Sequence, residues 1–62
     1  MGEKMPYSDY NKFLAAIKVA NDMKDASDAK EQLRSIRDAM IKAYGLLNDD
    51  VEYLMRQFRY NI

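Results

Sequence analysis

Sixty-two residues make at most one domain, and ten basic against ten acidic side chains leave a formal net charge of zero. There is no Cys, His or Trp, and only two Gly and one Pro. This excludes disulfides, thiol nucleophiles, imidazole bases, Cys/His metal sites and Gly-rich phosphate loops.

The charge balance argues against bulk electrostatic binding to nucleic acid or anionic lipid. No apolar run approaches the roughly 20 residues of a membrane-spanning helix. A chain this short buries only about 60% of its unfolded surface, so close helix packing or self-association must supply its stability.

In chain order, residues 1–7 read as a tail. They hold no apolar stretch of signal-peptide type. Pro6 stands where an N-myristoylation motif wants Ser or Thr. Pro6 also disfavours a helical Met5. The expected location is cytoplasmic, in a reducing compartment or with indifference to redox state, and no membrane association is expected.

Ser8 is the first N-cap candidate, with Asp9 placed favourably toward the positive end of a helix dipole. Tyr10, Phe13, Leu14, Ile17 and Ala20 then recur at spacings of three and four, which predicts an amphipathic helix over about 8–25. Ala16 and Met23 widen its apolar face.

Ala29, Leu33, Ile36, Met40, Ala43 and Leu47 follow a 4-3-4-3-4 pattern, a coiled-coil-like seam on a second helix over about 28–44. Asp28 with Glu31 reads as its capping box and Gly45 as its C-terminal stop. Extending the first seam by heptads would put Lys24, Ser27, Glu31 and Arg34 in the core. The two stretches are therefore separate helices, with a turn near Asp25–Ser27.

A third, shorter helix is expected over about 49–60. Asp49 and Glu52 suggest its capping box, and Val51, Leu54, Met55, Phe58 and Ile62 its apolar face. Glu52 and Arg56 are a well-oriented i,i+4 pair. The predicted fold is all-α: an antiparallel helical hairpin with the third helix packed across it, one domain over residues 1–62. Homodimers are expected, because pairing would hide the edges of a thin core.

Catalysis is not expected. The carboxylates Asp22, Asp25, Asp28, Asp49, Asp50 and Glu52 lie at predicted helix ends, where capping accounts for them. Ser8, Ser27 and Ser35 have no imidazole to activate them. No cofactor is expected, and neither acidic group has the length and central Gly of a calcium loop.

Two faces invite binding. Tyr53, Arg56 and Tyr60 fall on one side of the third predicted helix, and Tyr and Arg are enriched among interface hot spots. They are the expected anchors for a protein partner, the chain acting stoichiometrically as a regulator, adaptor or inhibitor. The alternative is a nucleic-acid or phosphate-ligand binder that uses Lys30, Arg34, Arg37 and Tyr44 on the second helix. A helix-turn-helix version of it suffers from the acidic opening of the third helix. A third reading is a self-assembling structural subunit. Val19 and Ile41 lie outside the seams and hint at a further contact surface. Met23, Met40 and Met55 read as flexible core fillers. No motif in the chain identifies a family.

Overall fold

A computed structural model describes residues 4–62. Three helices follow one another: α1 (Tyr7–Asn21), α2 (Ala26–Tyr44) and α3 (Asp49–Met55). No strand occurs among the described residues. α1 and α2 form the most extensive contact, and α3 packs on both, so the all-helical three-helix bundle expected from the sequence is present. The molecule is elongated, 37 × 19 × 15 Å, and has two distinct ends.

α1 and α2 begin one or two residues upstream of their expected starts, α3 begins where expected, and all three have other caps than the sequence suggested. Pro6, not Ser8, is the N-cap of α1. Its φ of −57° and ψ of 145° turn the chain in, and its carbonyl accepts the Tyr10 N–H at 2.9 Å. Proline has its φ already set for this position and has no N–H to satisfy. Asp25 caps α2 in place of the Asp28–Glu31 box. Its Oδ1 accepts the Ser27 N–H at 2.8 Å and the Asp28 N–H at 3.3 Å. Asn48 caps α3 in place of Asp49. Its Oδ1 accepts from the Asp50 N–H at 2.8 Å and the Val51 N–H at 3.3 Å. The acidic side chains that follow each cap, Asp28 in α2 and Asp49, Asp50 and Glu52 in α3, then sit in the first turn, where the dipole favours them.

Two helices end early. α1 stops at Asn21, not near Asp25, because the next residues adopt other geometry. The Asp22 N–H is shared between the Lys18 and Val19 carbonyls, and Met23 closes a short turn on Ala20 at 3.1 Å. The break expected near Asp25–Ser27 is therefore real but lies over 22–25. α3 ends at Met55, not near Tyr60. Beyond it Gln57 and Phe58 make tight turns on Leu54 and Met55. The chain then leaves the helix because Asn21 captures it: its amide donates to the Gln57 carbonyl at 2.9 Å, and its side-chain oxygen accepts the Arg59 N–H at 2.9 Å. Phe58, Tyr60 and Ile62 pack inward, while Arg59 and Asn61 face out, the alternation of an extended segment rather than a helix.

Gly45 ends α2 with φ 90° and ψ 153°, a conformation that a side chain with a Cβ rarely adopts. Its N–H closes the helix on Ile41 at 2.8 Å.

The core consists of Met5, Ile17, Ala20, Leu33, Met40, Val51 and Leu54, with Tyr10, Phe13, Leu14 and Ile36 among the partly buried side chains around it. Two expectations are corrected here. Met5, assigned to a tail, is buried, and its N–H donates to Asp50 Oδ2 at 3.3 Å. The other residues of that stretch that precede Lys4 lie outside the described part. The α2 seam also does not persist: Ala43 is exposed and Leu47 is 93% exposed in the turn beyond the helix. A straight helix advances 3.6 residues per turn and drifts off a seven-residue repeat. By the end of α2 the face toward the core has moved to Ile41 and Tyr44.

Candidate functional site

The connections decide what gathers at each end of the bundle. At one end α1 begins, α2 finishes and α3 starts. The Tyr44 hydroxyl donates to Asp9 Oδ2 across α2 and α1. Met5 meets Asp50 across the chain entry and α3. Tyr10 of α1 stacks on Tyr53 of α3, with ring centroids 6.4 Å apart and planes 23° from parallel. At the other end Asn21 and Met23 of the first connection hold the C-terminal segment. Arg59 Nη1 donates to the Asn21 carbonyl at 3.3 Å, the Tyr60 hydroxyl reaches the Met23 carbonyl at 3.5 Å, and the Arg59 guanidinium lies 5.8 Å from the centre of the Tyr60 ring.

Among the described residues, the large apolar side chains left in solvent are Tyr7, Val19, Leu46, Leu47 and Tyr53. Four of these five belong to the first end; Val19, 63% exposed on α1, is the exception. Leu46 and Leu47 are at the surface because the turn is fixed by its neighbours. They stand between Gly45, which ends α2, and the buried Asn48 cap of α3.

The expected partner-binding trio does not share one helix face. Tyr53 is on α3 and 54% exposed. Arg56 follows the helix, reaching back to Glu52 Oε1 at 2.9 Å, with most of its side chain in solvent. Tyr60 belongs to the extended segment, packs against the core, and bonds toward the opposite end. The expected anion-binding face is also divided. Lys30 and Arg34 are exposed on α2. Arg37 is only partly exposed and pairs with Asp38 at 3.4 Å. Tyr44 packs on the core with its hydroxyl on Asp9. Ile41, expected outside the seams, also packs on the core.

Sequence reading missed Tyr7 and the Leu46–Leu47 turn as surface features. Tyr7 lay in the assigned tail, and Leu47 matched the seam. Beside Tyr7 lies an open groove of about 480 Å³ lined by Lys4, Met5, Tyr7, Tyr10 and Asp50. A second groove, of about 310 Å³, runs under the C-terminal segment between Arg37, Met55 and Phe58. Among the described residues no group of three or more acidic side chains is placed to hold a metal ion. Within the same limit no helix is long and apolar enough to cross a membrane.

Partial burial raises the Tyr10 phenol above its ordinary value of 10.0, aided by the negative potential of Tyr53, Asp50 and Tyr7. The fold thus favours the neutral phenol. Its contribution to stability is complete below pH 10 and is lost as pH rises through the higher value of the folded state. In a phenolate absorbance titration, Tyr10→Phe should remove one phenol's amplitude from the part of the curve above pH 10. An unchanged upper limb would show that Tyr10 is not held neutral.

No family model matches this chain, and no curated protein or solved structure matches it either.

Proposed function

We propose that this chain is a small non-catalytic helical interaction module that binds a protein partner stoichiometrically, as a regulator, adaptor or inhibitor. The contact surface is the end that carries Tyr7, Leu46, Leu47 and Tyr53. The observation behind this reading is that, among the described residues, four of the five large exposed apolar side chains lie on the segments that meet at one end. Scattered surface hydrophobes need no explanation, whereas collected ones mark interaction sites. A non-catalytic role is supported by the sequence, which has no His or Cys to serve as base or nucleophile.

Tyr53 keeps its place as an anchor, and Arg56 flanks it. Tyr60 is assigned to holding the fold, and Leu47 and Tyr7 take over as anchors. A second copy of the chain is an alternative occupant of the same end.

The test is a double variant, Leu47→Ser with Tyr53→Ala. Both side chains are more than half exposed, so helicity should persist. Affinity capture with the wild-type chain should return a partner that the variant fails to retain. Light scattering over a concentration series on both proteins checks self-association. A dimer that the double variant dissolves would put the second copy on this end. Capture unaffected by the double variant would overturn the assignment of the surface.

A further inference from the structure

We propose that residues 56–60 are a two-state segment latched by Asn21: once released, the segment continues α3 as helix toward Tyr60 and turns the Tyr60 ring from the core to the outer face of that helix. Local and tertiary instructions conflict here. Arg56 still has helical geometry, with φ −68° and ψ −17°, and the Gln57 and Phe58 N–H groups bond at 3.0 and 3.2 Å to the carbonyls of Leu54 and Met55. Arg and Gln are good helix formers. α3 as it stands has no basic residue in its last turn; a lengthened helix would place Arg56 and Arg59 there, where the dipole favours cations. What stops the helix is remote in sequence. The Asn21 amide donates to the Gln57 carbonyl, its Oδ1 accepts the Arg59 N–H, and its own carbonyl accepts from Arg59 Nη1.

Little else holds the segment. All three bonds to Asn21 are exposed, so each has a modest net worth, because water competes for the same groups. The Tyr60 hydroxyl reaches the Met23 carbonyl only at 3.5 Å, beyond the usual length of a hydrogen bond. Phe58, Tyr60 and Ile62 are partly buried, and none belongs to the fully buried core. An open groove of about 310 Å³ lies where the segment meets Arg37 and Met55, so packing beneath it is incomplete. Exposed hydrogen bonds and few buried contacts are the marks of a unit that opens on its own.

Helical geometry supplies the second state. In a continuous helix Phe58 lies four residues after Leu54 and stays on the core-facing stripe. Tyr60 follows Tyr53 by seven residues and Arg56 by four, so it joins them on the side away from that stripe. The exchange gives up the Asn21 bonds and the burial of one ring, and gains helical backbone bonds. The lengthened helix carries an aromatic and basic stripe that begins at Tyr53, and the latch withholds its Tyr60 end. The switch needs no partner, so it stands or falls apart from the contact surface at the other end.

The test is NMR on the full chain carrying Asn21→Ala. Losing the two side-chain bonds should raise the ratio of helical to latched form about 5- to 100-fold. The readout is movement of the Cα and carbonyl shifts of residues 57–60 toward helical values, with loss of the contacts between the Tyr60 ring and the core. The methyl resonances of Leu33 and Val51 should stay in place. Adding Asn61→Pro to that chain should remove the helical shifts, because proline there disfavours a helical Tyr60 and obstructs the Gln57 carbonyl. Shifts at 57–60 that go to random-coil values, that do not move, or that Asn61→Pro leaves helical overturn the proposal. So does collapse of the Leu33 and Val51 dispersion in Asn21→Ala, which would make the latch part of the cooperative core rather than a separate switch.

Discussion

Leu33→Ala is expected to leave the chain largely unfolded at room temperature. Leu33 is fully buried in the middle of α2, in one core with Ile17 of α1 and Val51 and Leu54 of α3. Shortening it removes apolar bulk from the cluster that joins α2 to the other two helices. Buried Leu→Ala changes cost about 2–5 kcal/mol, the upper part of the range applying where the surroundings cannot collapse. Sixty-two residues support a total stability of only about 3–9 kcal/mol. The loss therefore consumes much or all of the available stability. Far-ultraviolet circular dichroism should show most of the helical signal gone, or a urea midpoint near zero. The matched control is Leu47→Ala. The two leucines occupy equivalent positions in the sequence pattern, yet Leu47 is 93% exposed. Its replacement should change stability by no more than about 0.5 kcal/mol. Similar losses from both would mean that Leu47 is in the core.

This contrast shows where the chain is legible from its sequence. Spacings of three and four locate Ile17, Ala20, Ala29, Leu33, Met40, Val51 and Leu54, every one of them buried. The phase mismatch between the first two seams reveals the break between α1 and α2. What the pattern cannot see is competition between distant segments. Nothing local says that Asn21 will seize the Gln57 carbonyl and the Arg59 amide and stop α3 at Met55. Phe58 and Ile62 satisfy helical i,i+4 spacing, but with Tyr60 they equally satisfy strand-like alternation. The tertiary hydrogen bonds chose between the two.

The candidate site was less legible than the core for the same reason. Tyr53 could be found as an off-stripe aromatic, while the placement of Tyr60 depended on where α3 ends. Met5 and Tyr7 acquire meaning only when Asp50 binds the chain ahead of α1. A surface assembled from the start of one helix, a turn and the start of another has no periodic signature. Its members are far apart in sequence, and each is unremarkable alone.

The choice of cap for α3 leads to the second large effect. Asn48→Ala should destabilise the protein by about 2 kcal/mol, more than an exposed cap would, since cap removal typically costs about 1 kcal/mol and a stranded buried amide adds to it. Asn48 is 5% exposed, and its Oδ1 accepts from both Asp50 and Val51, the latter bond being buried. Alanine leaves those amides without their acceptor in a place water does not easily reach. α3 has only seven residues, too few to persist without help, because helix nucleation is costly and short helices rely on tertiary support. The damage should thus be local before it is global. Amide exchange should accelerate first across α3, and the Tyr10–Tyr53 stacking should loosen with it, while the centre of α2 stays protected until the whole molecule opens. The sequence-level capping box makes the opposite assignment, with Asp49 as the critical residue. Asp49 is exposed and acts only through the dipole, so Asp49→Ala should cost less than about 1 kcal/mol. If Asp49→Ala proves the more damaging of the two, the helix begins one residue later than described. The Leu46–Leu47 turn would then no longer be pinned between Gly45 and a buried cap, and the argument for a fixed apolar contact end would lose its geometric basis.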